Sequence, residues 1–130
     1  MPEITLPGLP AMVQAARRGV RALLEDTGCL RIADAELVVS ELASNAVLHS
    51  HSAGADGSFT VALEVKPGWL RLEVSDAGPA EGACAVAAGE QDEHKRGLLI
   101  VDAVADRWGH RRPSQDRAVF WAELGWEETS

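Results

Sequence analysis

The spacing of the apolar residues changes near the middle of the chain, and this change restricts the fold more than any other feature. Up to about residue 50 the apolar residues recur every three or four positions, as on the buried face of a helix. The clearest stripe consists of Ala35, Val38, Val39, Leu42 and Ala46. After a small polar loop at 51–57, apolar and polar residues alternate from Phe59 to Val65 and from Leu70 to Val74, with the turn signal Pro67-Gly68 between them. A helix followed by an antiparallel hairpin with one buried face is therefore expected.

The flanking segments extend this pattern to a complete fold. Pro10 and Gly28 bracket a first helix, and the stripe predicts a second helix over about Ala33–Ser50. The remaining expected elements are an edge strand within 2–8, a loop over 77–96, a helix over Leu98–Asp106, and a last pair of strands at 107–112 and 117–124. This order predicts the α+β class, a two-layer α/β sandwich with a mixed, mainly antiparallel sheet and helices on one face. With 130 residues, 46% of them hydrophobic, the chain suits a single domain over 1–130.

Charge and composition exclude several classes of function. The net charge of −8 and the pI near 4.9 argue against general nucleic-acid binding and against an anionic membrane surface. No apolar run approaches the roughly 20 residues of a membrane-spanning helix, and residues 1–10 lack the features of a signal peptide. Cys29 and Cys84 have no metal-ligand spacing and are expected as reduced thiols. We expect a cytoplasmic protein.

Glu41 and Asn45 are the most informative polar pair on the second predicted helix. Residues four apart stack on one helical face, and this face lies just beside the apolar stripe, where a pocket wall would be. An amide oxygen can bind a hard cation such as Mg²⁺, and a carboxylate can orient or deprotonate a nucleophile. The interpretation of this pair therefore decides between a domain that handles nucleotides and a soluble domain without such a site.

Asp76 is the second candidate. It continues the series Leu70, Leu72 and Val74, whose members occupy every second position of a predicted strand and face the core. A buried carboxylate is costly unless it is paired, and the exocyclic amine of adenine is a suitable partner. Gly78 lets the backbone turn and a flat ligand approach. The alternative is an Asx-type turn that ends the strand.

The run Lys95-Arg96-Gly97-Leu98 leads into the third predicted helix. Free N–H groups at a helix start, together with neighbouring cations, favour an anion. The alternative is a basic turn on a solvated surface.

Three motifs occur in a fixed order: ELASNA on a helix, SDAGP at a strand end, and KRGLLIV at a helix start. Together they resemble the Bergerat-fold ATPase superfamily of gyrases, histidine kinases and mismatch-repair ATPases. The segments LVVSELASNAVLHS and RGLLIVDAVADRWG look most like the stand-alone anti-sigma-factor serine kinases and the small ATP-binding regulatory proteins of actinobacteria. The resemblance extends from about Arg17 to Leu124.

The resemblance implies a role for each matching residue. Asn45 would hold Mg²⁺ on the phosphates of ATP, and Glu41 would be the general base or the carboxylate that positions water. Asp76 would bind the adenine amine in a pocket shaped by Gly78. The residues implied at the phosphate end are His49, Lys95, Arg96, Gly97 and Leu98. For His49, an ordinary polar residue at a helix end is the alternative.

The resemblance also implies partners and a reaction. The protein would be an anti-sigma factor with serine/threonine-kinase activity toward an anti-anti-sigma (STAS) partner. It would also bind a sigma factor. The resemblance further implies that the chain can form a homodimer. The first predicted helix, with Arg17, Arg18 and Arg21, is one candidate partner face.

Lys95 stands where the family usually has glycine, and the last strand lacks the family's threonine. Both differences favour the alternative function, a non-catalytic nucleotide-sensing or protein-binding module of the same fold. A detached catalytic domain of a histidine kinase is disfavoured by the short lid and by the lack of a phosphoacceptor helix.

Two tryptophans extend the sequence-based expectations. Trp108 should pack under the third helix. Trp121 alternates with the inward-facing residues of the last strand and therefore faces away from the core. Either the N-terminal segment covers its ring, or the ring is exposed as part of a partner surface.

Overall fold

A five-stranded sheet carries two long helices on one of its faces. The computed structural model describes residues 2–49, 54–76, 98–114 and 117–128, with the side chains of 48, 49, 54–56 and 114 left aside. Its elements are β1 (Glu3–Gly8), α1 (Ala11–Leu24), α2 (Ile32–His49), β2 (Gly54–Lys66), β3 (Trp69–Asp76), α3 (98–104), β4 (Arg107–Ser114) and β5 (Arg117–Gly125). The strand order is β1-β2-β3-β5-β4, and all four pairings are antiparallel. The predicted α+β sandwich is confirmed.

The core lies between α1, α2 and one face of the sheet. All five residues of the predicted α2 stripe are at most 1% exposed. They pack against the alternating apolar residues of β2, β3 and β5, of which Phe59, Leu72 and Leu124 are representative. The segregation of apolar side chains to one sheet face is what places both helices on that face.

Most element boundaries agree with the sequence within two residues, and the exceptions are the end of α1 and the start of β2. The α1 helix ends at Leu24 rather than just before Gly28. The C-cap residue Glu25 is already extended (φ −60°, ψ 140°), Asp26 then adopts a left-handed conformation (φ 69°), and the Thr27 hydroxyl donates a 2.6 Å hydrogen bond to the carbonyl of Leu24. The side chain of Thr27 thus satisfies a helix-end acceptor, and a turn follows before α2.

The strands are longer than the sequence predicts. The expected loop at 51–57 is wrong from Gly54 onward, because β2 begins there and Gly54 pairs with Gly8 of β1 across a register shift. Likewise, β4 continues past residue 112 to Ser114, which pairs with Arg117 after a second register shift. These extensions depend on the neighbouring strand, which local periodicity does not report. The α3 helix ends at residue 104 rather than 106.

Several smaller expectations also hold. The hairpin turn at Pro67-Gly68 is present, and Gly68 has the positive φ (76°) that such a turn favours. Trp108 donates a 2.8 Å hydrogen bond to Asp102 of α3, as expected for a ring packed beneath that helix. Cys29 is a buried free thiol, whereas Cys84 lies outside the described residues. Among the described helices, none combines the length and hydropathy needed to cross a bilayer.

Candidate functional site

The two main candidate elements, α2 and β3, begin at the same end of the domain, and α2 packs along β3, because its stripe from Ala35 to Ala46 shares one buried cluster with Leu70, Leu72 and Val74. Arg31, just before α2, donates a 3.1 Å hydrogen bond to the carbonyl of Gly125, and Gly125 is paired with Trp69 at the start of β3. The helix therefore begins beside the first residue of the strand. From Arg31 to Asn45 the helix rises about 21 Å at 1.5 Å per residue. From Trp69 to Asp76 the strand advances about 23 Å at 3.3 Å per residue. Asn45 and Asp76 consequently lie at the same end of the domain.

Asn45 is the least satisfied buried polar group on α2. Its residue is 5% exposed, and its Nδ2 has no hydrogen-bond partner among the described residues. Buried polar atoms nearly always have a partner, because an unmade hydrogen bond in the interior costs about 1–3 kcal/mol. A carboxamide can also rotate to present its oxygen instead of its nitrogen. The residue is therefore suited to a polar ligand or to a cation brought by one.

Glu41 stands one turn before Asn45 and is half-buried. Burial raises the pKa of its carboxyl above the ordinary value, because desolvation disfavours the charged form. A carboxylate whose proton affinity is raised, beside an unsatisfied amide, is a suitable general base or a group that orients water.

Asp76 ends β3 on the helix-covered face of the sheet. The strand alternates regularly between buried and half-buried positions, and Asp76 is 9% exposed. It pairs across the sheet with Phe59 of β2 and Ala118 of β5. The predicted parity is confirmed: a carboxylate stands at the end of an otherwise apolar series.

The structure describes only some of the other residues that the sequence predicts for the site. Gly78, Lys95, Arg96 and Gly97 lie outside the described residues, as does the side chain of His49, although its backbone completes α2. Leu98 is half-buried and is the first described residue of α3. The structure thus brings Glu41, Asn45 and Asp76 to one end of the domain, and the roles of the remaining candidates stay predictions.

Sequence reasoning did not identify Arg31, the residue that fixes the end of α3. Its guanidinium donates to the carbonyl of Val104 (2.8 Å), contacts both carboxylate oxygens of Asp106 (3.2 and 3.3 Å) and, through Nε, binds Asp34 (3.0 Å). Asp106 in turn accepts a 2.7 Å hydrogen bond from the backbone N–H of Gly125. We call these residues the Arg31 clasp. Only the Arg31–Asp34 spacing could have been found locally, since Asp106 is 75 positions away.

A cation at this end of the domain would depend on few protein ligands. The described residues contain no group of three or more His, Cys, Asp or Glu side chains that could hold a metal ion. At nucleotide sites Mg²⁺ keeps several waters and takes few protein ligands besides the phosphates, so the side-chain oxygen of Asn45 would be enough to hold it there. The donor set present therefore fits a cation that arrives with its nucleotide.

Comparison with known proteins agrees with this geometry. A search of curated proteins gives no significant match. The family model of the histidine kinase-like ATPase domain matches residues 6–121, which is most of the chain and includes Glu41, Asn45 and Asp76. ATP binding is the property that this family implies for the domain. The chain therefore belongs to the histidine kinase-like ATPase domain family.

Proposed function

We propose that this protein is an ATP-dependent serine/threonine kinase of the anti-sigma type, which phosphorylates an anti-anti-sigma (STAS) partner and also binds a sigma factor. The observation that carries the proposal is the half-buried Glu41 one turn from the unsatisfied amide of Asn45. A domain that only holds nucleotide would need the amide but would gain nothing from a desolvated carboxylate beside it.

The proposed reaction is in-line transfer of the γ-phosphoryl group to a partner hydroxyl. Bound Mg²⁺ would offset charge on the transferred group. Glu41 orients the attacking hydroxyl and accepts its proton, for which its raised pKa is favourable. Asn45 holds the phosphate end of the nucleotide, and Asp76 accepts a hydrogen bond from the adenine amine at the strand end.

Transfer of label from γ-labelled ATP to proteins of the native cell extract tests the proposal. The expected result is one discrete phosphoserine-containing band with wild-type protein. Glu41→Gln should lose that band, because the amide cannot accept the proton, while its affinity for ATP stays within about twofold. Equal labelling by Glu41→Gln and wild type would contradict the role of Glu41.

A second candidate function is a nucleotide-sensing or protein-binding module without phosphoryl transfer. Lys95, in place of the family's usual glycine, favours it. The two functions separate in the same assay: the module binds ATP in calorimetry and labels nothing. Co-purification from the native cell, followed by mass spectrometry, would identify the partners in either case, including a cytoplasmic sigma factor or a second copy of the chain.

A further inference from the structure

The edge of the sheet formed by β4 and β5 carries an excess of arginine. Four of the chain's 12 lysine and arginine residues lie between Arg107 and Arg117. Strands β4 and β5 together contain four arginines and one glutamate, which gives them a charge of +3. Because the whole chain has a net charge of −8, the rest of the chain carries −11. Positive charge in this protein is therefore concentrated on one edge of the sheet.

On the sheet face opposite the helices, the carboxylates in contact with the arginines of this edge are too few to neutralise them. Glu123 accepts from Arg71 (2.7 Å) and lies 3.7 Å from Arg107. Glu73 accepts from Arg71 (2.8 Å) and from Arg111 (3.3 Å). Two glutamates thus serve three arginines, and the side chains of Arg107 and Arg111 remain 74% and 51% exposed.

A further arginine of this face, Arg117, lacks any carboxylate partner in the described part of the chain. It donates only to the neutral hydroxyl of Ser75 (3.1 Å). The positive charge of this edge therefore remains available to a partner. Its field would attract an acidic partner and would repel basic ones.

An ordered aromatic ring lies within the same face. Trp121 is half-buried, with the guanidinium of Arg71 stacked 4.4 Å from its ring. Gly109, its partner across the β4–β5 ladder, has no side chain, and a Cβ there would lie 2.8 Å from the ring. Alternate residues of a strand share a face, so the ring lies between Arg107 and Arg111. Tryptophan and arginine are the residues most enriched where proteins bind partners tightly.

From these contacts we propose that Arg107, Arg111, Arg117 and Trp121, here named the basic face, dock an acidic segment of a partner protein. The segment's carboxylates pair with the incompletely neutralised arginines, and an apolar side chain contacts Trp121. The basic face lies on the opposite side of the sheet from Asp76. It can therefore be occupied while nucleotide is bound, and it does not require phosphoryl transfer.

Fluorescence anisotropy with the full chain and a labelled 15-residue peptide of alternating Glu and Ala tests the proposal. We expect binding at low salt, no binding of the matched Gln-Ala peptide, and a loss of about tenfold in Arg107→Gln/Arg111→Gln/Arg117→Gln. The control Arg17→Gln/Arg18→Gln/Arg21→Gln removes the same charge from α1, where Arg17 and Arg21 already pair with Glu36, and should change affinity less than twofold.

Several outcomes would overturn the proposal. These are no detectable binding of the Glu-Ala peptide, equal losses in the two triple variants, or tighter binding of a 15-nucleotide single strand or of phosphatidylglycerol vesicles than of the peptide. If the triple variant of the basic face fails to fold, Arg117→Gln alone decides the question. Among the described residues its guanidinium donates only to the hydroxyl of Ser75, and its loss should still weaken binding about threefold, more than the α1 control does. ATP affinity, measured in parallel, should not change in any folded variant.

Discussion

Replacing Arg31 by alanine should destabilise the protein more than any other single surface-charge change. One guanidinium joins the start of α2 to the end of α3 and the end of β5, through Asp34, Asp106 and two backbone carbonyls. Alanine leaves all four acceptors without this donor. Because the side chain of Arg31 is only 22% exposed, water replaces it incompletely.

The magnitude follows from the kinds of acceptor. The two carbonyls, of Val104 and Gly125, are part-buried and cost about 1 kcal/mol each when they lose a charged donor. The two carboxylates, at 44% and 56% exposure, cost about 0.5 kcal/mol each. The free energy of unfolding should fall by about 3 kcal/mol, which lowers Tm by about 10 °C in a domain of this size.

Urea denaturation followed by circular dichroism measures this loss. Arg31→Lys keeps the charge but not the planar fork, so it should lose about half as much. The matched control is Arg18→Ala, an exposed arginine of α1 without an ion-pair partner in the described residues, which should change stability by less than about 0.5 kcal/mol. A loss below 1 kcal/mol in Arg31→Ala, or a Lys variant as stable as wild type, would refute the clasp.

Three further predictions concern other parts of the molecule. Glu41→Gln should be more stable than wild type at neutral pH, since burial raises the pKa of this carboxyl and therefore penalises its charged form. The difference in unfolding free energy between Glu41→Gln and wild type should shrink as the pH falls through the raised pKa of the folded protein. It should reach zero below the ordinary pKa of a carboxyl, where Glu41 is protonated in both the folded and the unfolded state. A difference that does not depend on pH would contradict this cause. Gly109→Ala should cost about 1–3 kcal/mol and shift tryptophan emission, because the new Cβ displaces the Trp121 ring; unchanged emission would contradict that placement. Asp76→Asn should weaken ATP at least tenfold in calorimetry while leaving the fold intact by circular dichroism, and equal affinity would remove Asp76 from the adenine site.

The sequence predicts the parts of the fold that depend on local pattern. The α2 stripe, the β2–β3 hairpin and the buried parity of Asp76 all follow from periodicity, and all are confirmed. The end of α1 does not follow, because the left-handed Asp26 and the cap from Thr27 are decided by side-chain hydrogen bonding in the turn.

The local sequence pattern does not predict the features that join distant segments of the chain. The position of β5 between β3 and β4, the contact of Arg31 with Asp106 and the fit of Gly109 beneath Trp121 all require the folded chain. The sequence does indicate that Trp121 faces outward, but it offers the N-terminal segment as a cover. The structure instead places Arg71 over the ring, and β1 lies at the opposite edge of the sheet.

The central claim is that the end of the domain shared by Asn45 and Asp76 binds ATP together with a cation. Calorimetric titration of ATP with Mg²⁺ and with EDTA, in wild type and in Asn45→Ala, tests it most directly. Wild type should bind ATP at least tenfold more tightly with Mg²⁺, and Asn45→Ala should lose that advantage while remaining folded. Absence of heat at millimolar ATP, or an equal Mg²⁺ advantage in both proteins, would contradict the claim.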